Sequence, residues 1–399
     1  MAKNNIIFLF EKYNSIPITN GLLEQKELDL SSDRNTNLFT YRGQFSPDLI
    51  NGLIKKYAKS NSVILDPFCG SGTVLFESTK LNHSSFGIEI NPAGFLMSQT
   101  TLFHNCNSKE RTKIFKKTKN IVDSIPDFEN NTFEKLLFEK MNNTKDILVK
   151  NILINTFFKY SKSRKKKSKD LFVNYLSKHL DIINNLPYSK NKTIVFHSDV
   201  RNNSIDNNSV DLIITSPPYI NVFNYHQHYR DIVEKIGFAP LIVAKSEFGS
   251  NRKHRENRFL TVIQYAQDMF ETFQELHKKL KDDGRFIMVI GRQSKVRGVP
   301  FRNDEIIAIV SYLAGFDIDL HQERKFKNQF GELIYEDLLH FIKKGKPTGK
   351  IDDVKELSTF IFNKAIKKTD NDEIRKGIES AISKILKVPN SPILNMEEE

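Results

Sequence analysis

Residues 63–73 read VILDPFCGSGT, an apolar run closed by an acid and followed at once by a glycine-bearing turn. A strand that ends this way and turns into a helix is the opening unit of a parallel sheet with crossover helices, and ligands lie beyond the carboxyl ends of such strands. Further short apolar runs at 85–88, 193–196, 212–214 and 286–290 continue the pattern, so the chain is expected to be α/β. Residues 316–320 and 338–342 are candidates for a hairpin at one sheet edge. Between 265 and 280, Phe270, Phe273, Leu276 and Leu280 recur at three- and four-residue spacing, which predicts an amphipathic helix with Gly284 as its stop.

The alternation breaks between 105 and 190. There Ile147, Leu148, Ile152, Leu153, Phe157 and Phe158 follow a helical period, and residues 162–169 (KSRKKKSK) carry six basic side chains in eight positions. A charge run of this kind is a solvated loop or a contact to a polyanion. At 399 residues the chain divides into about two to three packing units. Its expected organisation is an N-terminal extension (1–37), a main domain in two pieces (38–104 and 191–345), an inserted basic helical subdomain (105–190) and a helical tail (346–399) that ends in Glu397, Glu398 and Glu399. Sixty Lys and Arg against 48 Asp and Glu give a net charge of +12, which either draws polyanions, nucleic acid first among them, or reflects a chain-wide lean toward Lys, Asn and Ile that needs no partner. Two cysteines, Cys69 and Cys106, supply neither a disulfide framework nor a cysteine-only zinc site. No apolar run approaches the ~20 residues of a membrane span, and the 6–10 run is too short for a signal-peptide core. A cytoplasmic protein with no membrane partner is expected.

The first motif selects its ligand by what it lacks. Gly70 and Gly72 let a ligand approach the backbone, but the third glycine of a dinucleotide loop and the Gly-Lys-Ser/Thr of a phosphate loop are both missing. Glu89 closes the second strand 23 residues after Asp66, followed by Ile90, Asn91 and Pro92, and an acid there can accept from both hydroxyls of a ribose. A ribose, a positive centre and no phosphate describe S-adenosyl-L-methionine. A Gly-Ser-Gly turn by itself would mean little; Asp66, Phe68 and Glu89 in register give it weight.

The second motif is DLIITSPPY at 211–219. Pro217 and Pro218 remove two amide donors and leave carbonyl acceptors, while Tyr219 adds a flat face for stacking on a ring. An exocyclic –NH2 could donate to the Ser216 hydroxyl and the Pro217 carbonyl. Two acceptors favour a pyramidal nitrogen and free its lone pair to attack a methyl group.

DPFCGSGT, GIEINP and TSPPY in this order resemble the S-adenosylmethionine-dependent DNA amino-methyltransferases, which modify cytosine N4 or adenine N6. Residues 41–47 (YRGQFSP) are similar to the family's segment that closes over the methionine end of the cofactor, and 197–199 (HSD) to its acid segment near the adenine. The resemblance spans about 38–345 outside the insertion. It implies a Rossmann-like methyltransferase fold with a mostly parallel seven-stranded sheet plus a helical insertion. It assigns cofactor contacts to Tyr41, Phe45, Asp66, Pro67, Phe68, Gly70, Gly72, Thr73, Glu89, Asn91 and Asp199, and catalysis to Ser216, Pro217, Pro218 and Tyr219. Ser at the first slot position leans toward cytosine N4, with adenine N6 as the alternative and an RNA base further behind. Having the glycine loop ahead of the proline motif departs from the family's commonest order for members with Ser there. Methylation at C5 needs a cysteine nucleophile, and neither Cys69 nor Cys106 is suitably placed.

Double-stranded DNA is the expected partner, with a restriction endonuclease as companion. A stacked base cannot reach the slot, so it must be flipped out. Asn224 and Tyr225, in the stretch 221–230, are candidates for that nucleotide or the gap it leaves; a plain helix start is the alternative. Arg252, Lys253 and Arg255, within the basic stretch 249–258, are candidates for base edges or phosphates. Arg292, after the fifth strand, could help hold either substrate. A DNA-binding module without turnover is the non-enzyme alternative.

Overall fold

The computed structural model describes residues 2–29, 39, 41, 44–126, 132–221, 224–250, 254–327 and 331–394. Its strands are β1 (Val63–Asp66), β2 (Ser84–Ile88), β3 (Thr193–Phe196), β4 (Val210–Thr215), β5 (Leu280–Gly291), β6 (Gln293–Val296), β7 (Val299–Arg302), β8 (Phe316–Lys327) and β9 (Leu333–Lys343). Seven of them form one sheet in the order β3-β2-β1-β4-β5-β9-β8, while β6 and β7 make a separate hairpin. The first five strands run parallel. β9 is antiparallel to β5, and β8 pairs with β9 at the edge, which is the hairpin expected for the two late apolar runs. Strand order reverses between β1 and β4, so the crevice for a ligand opens at their carboxyl ends.

The continuous apolar runs are explained by two covered faces. Side chains alternate along a strand. Leu65, Ile213, Phe286, Met288 and Ile290 accordingly join one core, with helices Leu260–Lys279, Asn303–Leu313 and Ile351–Ile366. Ile64, Leu212, Ile214, Ile287 and Val289 join the other, against helix Pro47–Tyr57.

Gly284 is not a helix stop. The helix ends at Lys279, Leu280 already pairs with Val210, and Gly284 lies inside β5 where the pairing slips before resuming at Leu212 and Arg285. The amphipathic period marks the helix, but sheet pairing sets its end.

The two chain ends pack into the main core. Ile6, Phe10 and Tyr13 of helix Ala2–Asn14 and Val354, Leu357 and Phe362 of the tail belong to the same buried cluster as the sheet, and Phe10 meets Phe360 at 4.5 Å. Helices Ser108–Asp123, Thr132–Asn143, Ile147–Ser161 and Lys169–Asn184 lie between β2 and β3 and build a third cluster with Tyr41, Leu96 and Met97. Asn151 and Asn155 tie this layer down by donating to the Leu96 carbonyl at 2.7 and 2.8 Å. No helix among the described residues is long and apolar enough to cross a membrane.

Candidate active site

A cavity of about 880 Å3, counting its open mouth, lies at the switch point. Its floor is built from the ends of β1 and β2. Asp66, 2% exposed, accepts from the Thr215 hydroxyl at 2.6 Å and from the Phe68 amide at 3.1 Å. One carboxylate thus joins the end of β1 to the end of β4. Glu89 accepts from the Gly70 amide at 2.8 Å with one oxygen and from the Asn91 amide at 2.7 Å with the other. Burial pushes both acids up to about 7, against the pull of their hydrogen bonds.

The glycine loop holds its shape for two different reasons. Gly70 has φ +52°, and the Tyr41 ring lies 3.3 Å from where a Cβ would stand, so the loop is roofed by that ring. Gly72 has φ +90° and a Cβ there would meet Ser98 at 3.1 Å; it packs on protein and does not line the cavity. Asn91 lines the cavity while its side chain caps helix Pro92–Ser98, accepting from Ala93 and Gly94.

Tyr41, Phe45, Pro67, Phe68 and Thr73 also line the space. Arg42 and Gly43 lie outside the described residues, but Gln44 donates to the Ser71 hydroxyl and is tied in this way to the glycine loop. Asp199 is in the wall, yet its carboxylate is engaged by Arg201 in a two-pronged ion pair at 3.0 and 2.7 Å. Arg201 also reaches Asp268 at 3.2 Å and donates to the carbonyls of Ser391 and Pro392, so the tail buttresses this wall. The residue left open to a ligand is its neighbour Ser198, whose buried hydroxyl has no partner among the described residues.

Ser216 and Pro218 open onto the same cavity as Gly70 and Glu89, whereas Pro217 and Tyr219 lie just outside its lining. The Tyr219 hydroxyl stands 3.1 Å from the Ser216 hydroxyl, its ring packs over Gly291, 3.2 Å from where a Cβ would stand, and Glu336 faces its hydroxyl. Burial, more than Glu336, holds the Tyr219 phenol well above its usual range. Tyr225 lines the cavity and lies 6.3 Å from Tyr41, ring to ring.

Of the DNA candidates, Arg252 and Lys253 lie outside the described residues. Arg255 is exposed, whereas Asn224 accepts from Ser250 at 3.1 Å and sits outside the cavity lining. Arg292 is committed elsewhere: it pairs with Asp337 at 2.7 Å and Glu323 at 2.5 Å. Sequence reading missed Ser246, Glu247 and Phe248, which form one wall. Glu247 is held by His226 at 2.6 Å. No local motif surrounds these three, so only the folded chain brings them in.

The sequence profile of the N6/N4 DNA methylase family matches residues 14–100 and 210–387, and the chain belongs to that family. The Type II methyltransferase M.MjaII of Methanocaldococcus jannaschii is 36% identical over 62 residues, covering 16% of this chain and 12% of that protein. The Type II methyltransferase M.AvaI of Nostoc sp. is 46% identical over 57 residues, covering 14% of this chain and 12% of that protein. These matches therefore span about an eighth of each relative's length. Among solved structures, a SAM-dependent methyltransferase of Methanosarcina mazei is 11% identical, with 73% of this chain and 97% of that one covered at a TM-score of 0.34. The rRNA methyltransferase aviRa of Streptomyces viridochromogenes is likewise 11% identical, with 85% and 99% covered and a TM-score of 0.34.

Proposed function

We propose that this chain transfers a methyl group from S-adenosyl-L-methionine to the exocyclic amino group of a base in double-stranded DNA, with cytosine N4 as the target. The observation that carries the reading is that Gly70, Glu89, Ser216 and Pro218 border one cavity. Donor and acceptor sites at a common edge supply the positioning on which such a transfer depends.

The residues fit the cofactor. Glu89 keeps acceptor capacity for ribose hydroxyls beyond its two amide contacts, Ser198 offers an unpartnered hydroxyl, and Asp66 and Glu89 give the floor negative charge once ionised. Tyr41 and Phe45 supply apolar cover. When bound, the cofactor supplies an electrophilic methyl on a sulfonium. Ser216 and the Pro217 carbonyl accept the two hydrogens of the amine and turn its lone pair outward. Tyr219 offers a face to the base and, through its hydroxyl, keeps the Ser216 oxygen in place. Flipping the base costs a few kcal/mol, which stacking offsets.

Ser in the slot's first position supports cytosine over adenine. A Type II context, in which a restriction endonuclease accompanies the enzyme, rests on the matched relatives. Incubating the protein with duplex DNA and labelled cofactor, then identifying the modified nucleoside by mass spectrometry, tests the assignment. N4-methylcytosine is expected. N6-methyladenine overturns the base choice, and label found only in RNA overturns the substrate.

A further inference from the structure

The insertion lies outside both segments matched by the family profile, yet it holds most of the chain's charge. Residues 105–190 contain 19 Lys and Arg against 9 Asp and Glu, a net of +10 out of +12 for the whole chain. That excess peaks in the loop between helices Ile147–Ser161 and Lys169–Asn184.

The loop's six cations divide into two kinds. Lys167 donates to the carbonyls of Tyr160 and Ser163, and Lys169 to that of Ile125, so these two close the loop. Lys162, Arg164, Lys165 and Lys166 are exposed, and none has an acidic partner among the described residues. Four like charges in five positions repel one another, and an isolated fold gains nothing from them. A polyanion converts the same arrangement into attraction.

The loop's position names the polyanion. Phe158 packs against Tyr229 at 4.5 Å with the rings tilted by 39°, and the Lys162 ammonium lies 4.8 Å from the centre of the same ring. Tyr229 is a non-glycine residue held at φ 57°, a conformation that stands only where surroundings enforce it. It contacts His228 at 4.6 Å, His228 contacts Tyr41 at 5.3 Å, and Tyr41 roofs the glycine loop. Asn142 donates to the Lys235 carbonyl at 3.2 Å, a second tie between the insertion and the segment that follows the slot. Gly249 packs on the Tyr219 backbone and accepts from the Asn221 amide at 2.8 Å, and exposed Arg258 donates to the Asn221 side-chain oxygen at 3.5 Å. Cations from the insertion and from the segment after Gly249 thus both meet the stretch that follows the slot.

We infer that the insertion forms the second wall of a DNA cleft, in which Lys162, Arg164, Lys165 and Lys166 grip the phosphate backbone next to the flipped base. This rests on the DNA reading above, and the test separates the two. The quadruple variant K162Q/R164Q/K165Q/K166Q and the double variant K165Q/K166Q, which spares the cation over the Tyr229 ring, are compared with the full chain for binding to a fluorescent DNA duplex between 50 and 300 mM salt, about the range where such charges are screened. Removing one cation from a phosphate lowers the slope of log affinity against log salt by about 0.9, so the quadruple variant is expected to drop roughly two to four units of slope and the double roughly one to two. Cofactor affinity, measured by calorimetry, stays as in the full chain and reports that the variants fold. Unchanged slopes in both variants overturn the inference, even if the full chain methylates DNA. A full chain that binds duplex with a loop-dependent slope but transfers no methyl sustains the inference and overturns the function.

Discussion

The floor of the cavity and the rim proposed for it are built by opposite means. On the floor, Asp66, Glu89, Asn91, Thr215 and the glycine-loop amides are joined by hydrogen bonds between 2.6 and 3.1 Å, with Asp66, Asn91 and Thr215 buried and Glu89 half-buried. In the basic loops that the proposal places at the rim, Arg164, Lys165, Lys166 and Arg255 are exposed, without acidic partners among the described residues. A small ligand must be oriented to within fractions of an ångström, which requires groups fixed before it arrives. A duplex must first be attracted and slid into register, for which mobile charge suffices. The contrast teaches that substitutions on the floor should act on stability and affinity, and those on the rim on salt dependence.

The sharpest way to break that contrast is Arg201→Ala. It leaves Asp199 and Asp268 buried without their cation, and a loss of about 3–5 kcal/mol is expected in denaturant unfolding. A loss under about 1 kcal/mol would show that this wall is not preorganised. Next is Tyr219→Ala, which removes one stacked face worth about 1–3 kcal/mol. Turnover is expected to fall roughly 10- to 100-fold while calorimetric cofactor affinity moves less than about threefold; equal losses would place Tyr219 in the cofactor pocket.

A smaller effect concerns pH. Burial raises Asp66 and Glu89 from ordinary values near 4 to about 7, so the ligand-free protein holds protons there that the unfolded chain has released. These two groups therefore lower stability as pH climbs from about 4 to about 7. A cationic ligand favours the ionised forms, so cofactor affinity is expected to rise about tenfold between pH 6 and 8 for each acid that faces the positive centre, and then level off. A flat calorimetric profile would show that neither acid faces the positive centre. Smallest of all, Arg255→Gln should reduce the salt slope by about 0.9 and affinity two- to threefold, with no change in cofactor binding; any loss of cofactor affinity would move Arg255 from rim to floor.

The matched family segments begin at residue 14 and run to 387, beyond the expected main domain at both ends. The packing agrees at the later end, where Val354 and Phe362 complete one face of the sheet; Phe10 and Tyr13, ahead of the matched segments, pack on the same core, and among the described residues neither helix has an apolar partner of its own outside it. Amphipathic ends read as appendages because a single helix shows one greasy face without showing what covers it.

Local backbone chemistry was enough to mark Asp66, Gly70, Glu89 and Ser216: a strand end, a turn that needs glycine and a proline corner are written in consecutive residues. Their meeting at one cavity followed from the rule that parallel strands present their carboxyl ends together. What tertiary structure alone decided were the contacts between segments far apart in the chain. Asp199 was drawn with Arg201 to Asp268, Arg292 to Asp337 and Glu323, and Glu247 with Ser198 was brought to the wall. Nothing adjacent in the chain announces such pairings, because a charge selects its partner by distance in space, and that distance exists only once the sheet has closed.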